Sequence, residues 1–356
     1  MIAITLGLMI LAGMLTVFVN TSATRNEIDR TNRQIENGRY AMELLRDDIQ
    51  LAGFFGEIDM TTLATAYDLT ALGIPVPDPC STVLLERTQL TPVSPESPGL
   101  LQVHVQGINN YAALACFVAN GINIKLGTDV IIVRRVKTCS AGVGDCDTLA
   151  YLTSGGGGSG KPALQVSLCA KPTAAQVSAS TITSHALALY PNAGEFKHLE
   201  NIALGSPPGT NCTVAAQLRP YVIYMYFVGT DDVLKRAEFV NGTGMSNVTA
   251  LVDGIENLQL EYGVDTTVPG DGNADTYTAS PATVAAWTNV VSVQVNLLAR
   301  NTEVSPDYKG SALEASKTYN LGPSAGSVGP FTDGLRRHVY SARVRIQNVS
   351  QRRELP

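Results

Sequence analysis

No charged side chain occurs before Arg25. Residues 1–19 read MIAITLGLMILAGMLTVFV, with no Lys or Arg ahead of the apolar run. A cleaved secretory signal would carry a basic start, a shorter apolar core and a small-residue cleavage site, so this run argues against one. No stretch of five or more basic residues is present and the formal net charge is −6, which sets nucleic acid aside as a partner. None of the six cysteines forms a CxxC pair, so zinc-cluster and thioredoxin-like chemistry have no support. The four histidines, His104, His185, His198 and His338, are scattered, and none has a second ligand at helical or hairpin spacing. No internal repeat of roughly 20–50 residues is evident. What remains is a chain of 356 residues, 45% hydrophobic and 16% charged, which fits a folded protein with a sizeable core rather than a disordered one.

The apolar start is long enough to matter. A spanning helix needs about 20 apolar residues, and Met1 to Thr24 supplies that length without a charge. Gly7, Gly13, Thr5 and Thr16 lie within it, small residues that allow close approach of other helices. After Arg25 the pattern turns amphipathic. Ile28, Ile35, Met42 and Ile49 recur every seven residues, with Thr31, Gly38, Leu45 and Ala52 three residues after each, so both rows fall on one helix face. Ile28, Ile35, Met42, Leu45 and Ile49 are the expected packing residues, and Gly53 supplies a stop. Fifty helical residues span roughly 75 Å. Half of such a helix must protrude, and a protruding apolar half needs a membrane or other subunits around it.

The six cysteines, Cys80, Cys116, Cys139, Cys146, Cys169 and Cys212, all lie beyond this segment. Their even number behind a membrane segment favours disulfides in an oxidising space. Six permit 15 pairings, of which only Cys139–Cys146 is singled out, because the two close a short Gly/Asp-containing loop. Arg25, Arg30, Arg33 and Arg39 pull the other way, since basic residues flanking a span mark the cytoplasmic side. A short basic leader preceding Met1 would reconcile the two signals.

Further along, LLQVHVQ (100–106), DVIIVRRVK (129–137) and PYVIYMYFVG (220–229) read as strands, and TSGGGGSGKP (153–162) as a flexible loop. In the final third Leu258, Leu260 and Tyr262 alternate with Gln259 and Glu261. Val291, Val293, Val295 and Leu297 alternate with Ser292, Gln294 and Asn296, and Ala342, Val344 and Ile346 with Arg343 and Arg345. Period-two patterns mark half-buried strands. An antiparallel sheet packed on the amphipathic helix buries both apolar faces. The fold class is therefore α+β, a long N-terminal helix on an antiparallel sheet head with a large loop-rich, disulfide-containing β region. The divisions are 1–53 for the helix (1–24 transmembrane, 25–53 amphipathic), 54–250 for the variable β-rich region and 251–356 for the C-terminal sheet region.

Three motifs come near to chemistry. GGGGSGKP has Gly155, Gly160 and Lys161 at P-loop spacing, but Pro162 stands where a hydroxyl must reach magnesium, so nucleotide binding is not expected. Gly322, Ser324 and Gly326 match G-x-S-x-G, yet lie in a Gly/Pro/Ser loop with no helix after it, and no hydrolase is expected. Asp265, Asp271, Asn273 and Asp275 place D-x-N-x-D beside a glycine, which offers calcium hard oxygens, although the glycine position and closing glutamate of an EF-hand are missing. The alternative is a solvated turn between two strands.

MIAITLGLMILAG resembles the N-terminal segment of type IV pilins and pseudopilins just past their processing site. ENGRYAMELLRDDIQLAGFFG resembles the PilW group of minor pilins, as do the stretches DGIENLQLEYGVDT, WTNVVSVQVNLLAR and DGLRRHVYSARVRIQN. The likeness covers the first 57 residues and about the last 105; residues 58–250 are placed only by position. The family's glycine, phenylalanine and glutamate around the cleavage point have no counterpart here, so the processing site is expected before Met1. The resemblance implies a structural, non-catalytic minor pilin that helps initiate pilus assembly within a tip complex. Its partners would be the other minor pilins and the major pilin, through the N-terminal helix, and a large tip adhesin. It would sit in the bacterial inner membrane with its head in the periplasm, and then at the extracellular pilus tip. Some pilin-like proteins hold calcium in loops between strands, which adds weight to calcium as a cofactor. A type II secretion pseudopilin, a membrane-anchored envelope enzyme and an envelope adhesin that never assembles are the rivals.

Overall fold

Nothing in residues 2–50 breaks a helix, and the computed structural model carries them as one continuous α-helix, α1 (Ile2–Gln50). The structure describes residues 2–56, 76–82, 103–140, 146, 163–166, 187–190, 199–200, 214–215, 218–240 and 242–354. Cys169, Cys212, His185, His198 and the 153–162 loop lie outside them. Helix α1 stops where Gly53 takes φ +72°. There its amide donates to the Arg134 carbonyl at 3.0 Å, and a Cβ would meet the Val349 side chain at 2.9 Å. The glycine thus ends the helix and docks its end on the head.

Among the described residues, seven further short elements follow before the long strands: β1 (Val105–Ile108), α2 (Ala115–Ala119), β2 (Val130–Val136), β3 (Ala163–Val166), β4 (Leu187–Tyr190), β5 (Leu199–Glu200) and β6 (Val214–Ala215). Strands β7 (Leu218–Val228), β8 (Val233–Val240) and β9 (Gly244–Asp253) complete a first sheet. In it β7 pairs with β2, β3 and β8, while β1, β4 and β9 extend those neighbours, all antiparallel. The second sheet runs β11 (Thr276–Thr278), β10 (Ile255–Val264), β12 (Val290–Arg300), β15 (Arg337–Arg345), also antiparallel. Helix α3 (Val284–Thr288) precedes β12; α4 (Ala312–Ser316) and the β13–β14 hairpin (Tyr319–Asn320, Ser327–Val328) fill the β12–β15 connection, and α5 (Gln347–Arg353) closes the chain.

The unbroken apolar run in β7 has a simple cause: β7 and its neighbour β2 are buried on both faces. Val222, Tyr224, Tyr226 and Val228 enter the main core, with Ile131 and Val133 of β2. Tyr221, Ile223, Met225 and Phe227 enter a second core under α2, with Val130, Ile132 and Phe117. The second sheet has one fully buried face, as its alternation indicated. Leu258, Leu260 and Tyr262 of β10, Val293, Val295 and Leu297 of β12, and Val344 of β15 meet Ala41, Leu45, Ile49 and Ala52 of α1 there. Its other face is covered at one corner by Tyr319, Leu321 and Leu298.

The helix meets the head through a face turned slightly from the heptad expectation. Gln34, Gly38, Ala41, Leu45, Asp48, Ile49 and Ala52 are buried. Of the expected packing residues, Leu45 and Ile49 are fully covered, Ile35 and Met42 are half-buried at the flank, and Ile28 remains 53% exposed. The reason is close approach. Tyr340 of β15 lies so near Gly38 that a Cβ there would be 2.1 Å from its ring, so a small residue takes the centre at that turn while Ile35 and Met42 flank it.

Candidate assembly interface

The protruding half of α1 is a continuous apolar surface with no cover from its own chain. Ile4 and residues 6–26 are all exposed, including Met9 at 74% and Phe18 at 72%. Three of its hydroxyls bond back within the helix: Thr16 donates to Ala12 and Gly13 carbonyls, Thr21 to Val17 and Thr24 to Asn20. Such back-bonding hides hydroxyls from an apolar surround. At Gly7 and Gly13 a Cβ would meet nothing within 4 Å, so these notches are available to another helix. Roughly 25 residues at ~1.5 Å each reach past 35 Å, enough for a hydrocarbon layer of about 30 Å.

Where α1 enters the head, polar contacts fix its register. The Arg336 guanidinium binds Glu27 at 2.5 Å, and the same carboxylate accepts from the Ser305 hydroxyl at 2.9 Å. Arg30 reaches Glu303 at 2.9 Å. The buried Gln34 amide donates to the carbonyls of Ala299 and Arg336 at 2.9 and 3.0 Å, and Asn37 donates to Asp253. Deeper in, Asp48 is the centre of a buried clasp. Arg135 of β2 donates to one carboxylate oxygen at 2.5 Å and the Tyr226 hydroxyl of β7 to the other at 2.9 Å. Burial, and then the Asp48 charge, push the Tyr226 hydroxyl pKa well up, so it stays a donor.

Two other buried groups tie the sheets together. Asp129, at the head of β2, accepts the amides of Asn110 at 2.8 Å and Leu260 at 2.7 Å, while its own amide donates to the Leu258 carbonyl. It thereby caps the edge of β10 beyond the reach of β11. Burial raises its pKa to about 6 against the pull of those two amides. Arg134 is fully buried, donating to Val103 and to Gln106 at 2.6 Å, and desolvation lowers its pKa to about 10. At the β15 end Arg337 bridges Glu256 and Asp333, and its hydrogen bonds hold the Asp333 carboxyl down at about 2.

The acidic loop engages its candidate ligands in its own hydrogen bonds, and the Thr267 amide is shared between Asp265 and Asp275 at 3.1 Å each. Asp265 is buried and accepts from the Gly272 amide at 3.0 Å and from Arg353 at 3.3 Å. Asp275 takes the amides and hydroxyls of Thr266 and Thr267, which lower its pKa. Asp271 accepts the Asn273 amide. Among the described residues no group of three or more His, Cys, Asp or Glu side chains is arranged around one point. The Ser324 hydroxyl donates to Glu261 at 2.7 Å. His104 is buried against the Val290 carbonyl at 2.7 Å, and His338 stands edge-on to Tyr340. Cys139 and Cys146 are joined at 2.04 Å, and Cys80 is joined to Cys116, stapling residues 76–82 to α2.

Asp48, Gln34 and Tyr226 were not singled out from sequence. The signal was present in part, because Gln34, Ala41 and Asp48 recur every seven residues and so share a face. Their partners Arg135 and Arg336 lie far away in sequence and carry no such mark.

Residues 225–348 match the family model PilW, described as type IV pilus-assembly protein W. The match runs from within β7 to the start of α5 and takes in the whole second sheet. Over this region it bears out the PilW resemblance and supports a link to type IV pilus assembly. No curated protein and no solved structure matches the chain.

Proposed function

We propose, from a PilW-type sheet carried on a pilin-like helix, that the protein is a minor pilin that helps start pilus assembly and stays in the tip complex. One observation carries the reading: an apolar half-helix with no cover of its own is rigidly continuous with a half anchored in the head. In the inner membrane the exposed half lies in lipid with the head in the periplasm. On assembly the same surface moves into the helical core of the fibre, beside other minor pilins and the major pilin. The exchange replaces lipid contacts by helix contacts, for which Gly7 and Gly13 provide close approach. The work is mechanical and needs no reacting group. A tip adhesin is the partner expected on the outer surface of the head. A type II pseudopilin would share the helix, but the matched family is one of pilus assembly.

The test is recovery. Expressed from its own locus, the protein is expected in sheared surface fibres at trace level relative to the major subunit, and only when the prepilin peptidase is present. Deletion is expected to reduce fibre number. Retention in the membrane regardless of the peptidase overturns the reading.

A further inference from the structure

Beside the point where α1 leaves the head, a cavity of about 270 Å³ opens between the helix and β15. Arg39, Lys317 and His338 line it with Tyr308 and Tyr340, and no Asp or Glu contributes to its wall. Two further cations border it, Arg336 and Arg337, but Glu27, Glu256 and Asp333 already neutralise them. Arg39 and Lys317 are different. Both are exposed, and among the described residues no carboxylate pairs with either. Lys317 instead lies over the Tyr319 ring at 5.2 Å. An acidic chain of net charge −6 therefore keeps two uncompensated cations at one mouth.

We propose that this cavity seats a carboxylate carried on the helix of a neighbouring pilus subunit. The inference rests on the pilus reading for the source of that helix. Charge complementarity names the group, since two unpaired cations beside tyrosine hydroxyls suit a carboxylate acceptor. The neighbouring surface names the element. Thr31 and Ile35 of α1 form part of the wall, and the exposed Ile28 lies one turn or two further toward the membrane. A helix packed along the protruding half of α1 runs past Ile28 and Ile35 and arrives at Arg39. The side of α1 that the head leaves open thus leads past the exposed Ile28 and the half-buried Ile35 to a basic seat.

The test uses the full chain in detergent micelles and hexaglutamate as probe, with hexaglutamine as control. Hexaglutamate alone is expected to bind, more weakly as salt rises. The double variant Arg39→Glu, Lys317→Glu is expected to lose at least tenfold in affinity. Both side chains are exposed, so its circular dichroism melt is expected to match the wild type. In cells the variant is expected at normal membrane level but depleted from sheared fibres. Equal hexaglutamate binding by wild type and variant overturns the proposal. Self-association of the purified chain that the variant abolishes also overturns it, by assigning the seat to a second copy. Wild-type chain absent from fibres while hexaglutamate binding persists overturns the pilus reading instead and leaves the carboxylate seat in place.

Discussion

At the scale of single residues, the helix–head contact depends on one carboxylate and one absent side chain. Asp48 is buried between Arg135 and the Tyr226 hydroxyl. Replacing it with alanine leaves the largely buried Arg135 cation without its carboxylate and the Tyr226 hydroxyl without that acceptor, a loss of about 3–5 kcal/mol. A fall of that size in urea-unfolding stability is the expected result for Asp48→Ala. Gly38→Ala is expected to destabilise by roughly 1–3 kcal/mol, because the new methyl falls within the Tyr340 ring. Gly38 belongs to an inward row that sequence spacing located, but spacing could not say that an aromatic from residue 340 presses on it. Asp129 gives a pH signature. Its folded pKa of about 6 lies above the unfolded 3.8, so the folded state holds the extra proton between them. Stability is therefore highest below that interval, falls as pH rises through it, and is flat above, a change of roughly 3 kcal/mol at most. Asp333, depressed to about 2, acts in a lower window: its contribution is complete above 3.8 and lost as pH falls below that. The melting temperature is expected to drop between about pH 4.5 and pH 7, and Asp129→Asn to flatten that slope. At the acidic loop, melting with calcium and with chelator decides whether calcium joins the bonds that Asp265 and Asp275 already make.

At the scale of elements, α1 is two structures in one helix. Ile4 and residues 6–26 are exposed, while the later half is locked by Gln34, Leu45, Asp48 and Ile49. A chain starting at Arg25 is accordingly expected to fold, with an unchanged near-ultraviolet spectrum and a single soluble monomer peak. Leu45→Ala in that shortened chain is expected to cost about 2–5 kcal/mol through the cavity it leaves. The change of pattern at Arg25 is legible in sequence because a charge-free run and a heptad period are both local signals. So is the second sheet, where polar side chains on the face turned from α1 keep the period of two in β10, β12 and β15, although Gln259, Glu261, Ser292 and Asn296 on that face are themselves buried. The first sheet was harder to read. β7 is apolar on both faces, which erases alternation, and the two cores it separates are built from segments such as Phe117 and Phe239 that are distant in sequence.

At the scale of the molecule, the head is a plug that orients an otherwise naked helix. The main core is shared by α1 and both sheets, so a push on the helix is transmitted to the whole head rather than absorbed at a hinge. Asp48 ties α1 to the first sheet and Gln34 ties it to the second, which makes the helix the common strut. Cys80–Cys116 holds the segment leading into β1 against α2 across 36 residues of chain. Cross-linking a loop of that size restricts the unfolded chain by roughly 3–4 kcal/mol. Reduction is therefore expected to lower the melting temperature of the head without releasing α1, whose contacts are all non-covalent. The central claim is that the exposed half of α1 becomes part of the fibre core. Met14, 68% exposed in the free chain, is its most direct reporter. Met14→Cys, probed in sheared fibres with a short thiol cross-linker, is expected to link to the helix of another pilus subunit and to resist an impermeant maleimide. Free labelling of that cysteine in intact fibres, with no cross-linked partner, would contradict the account.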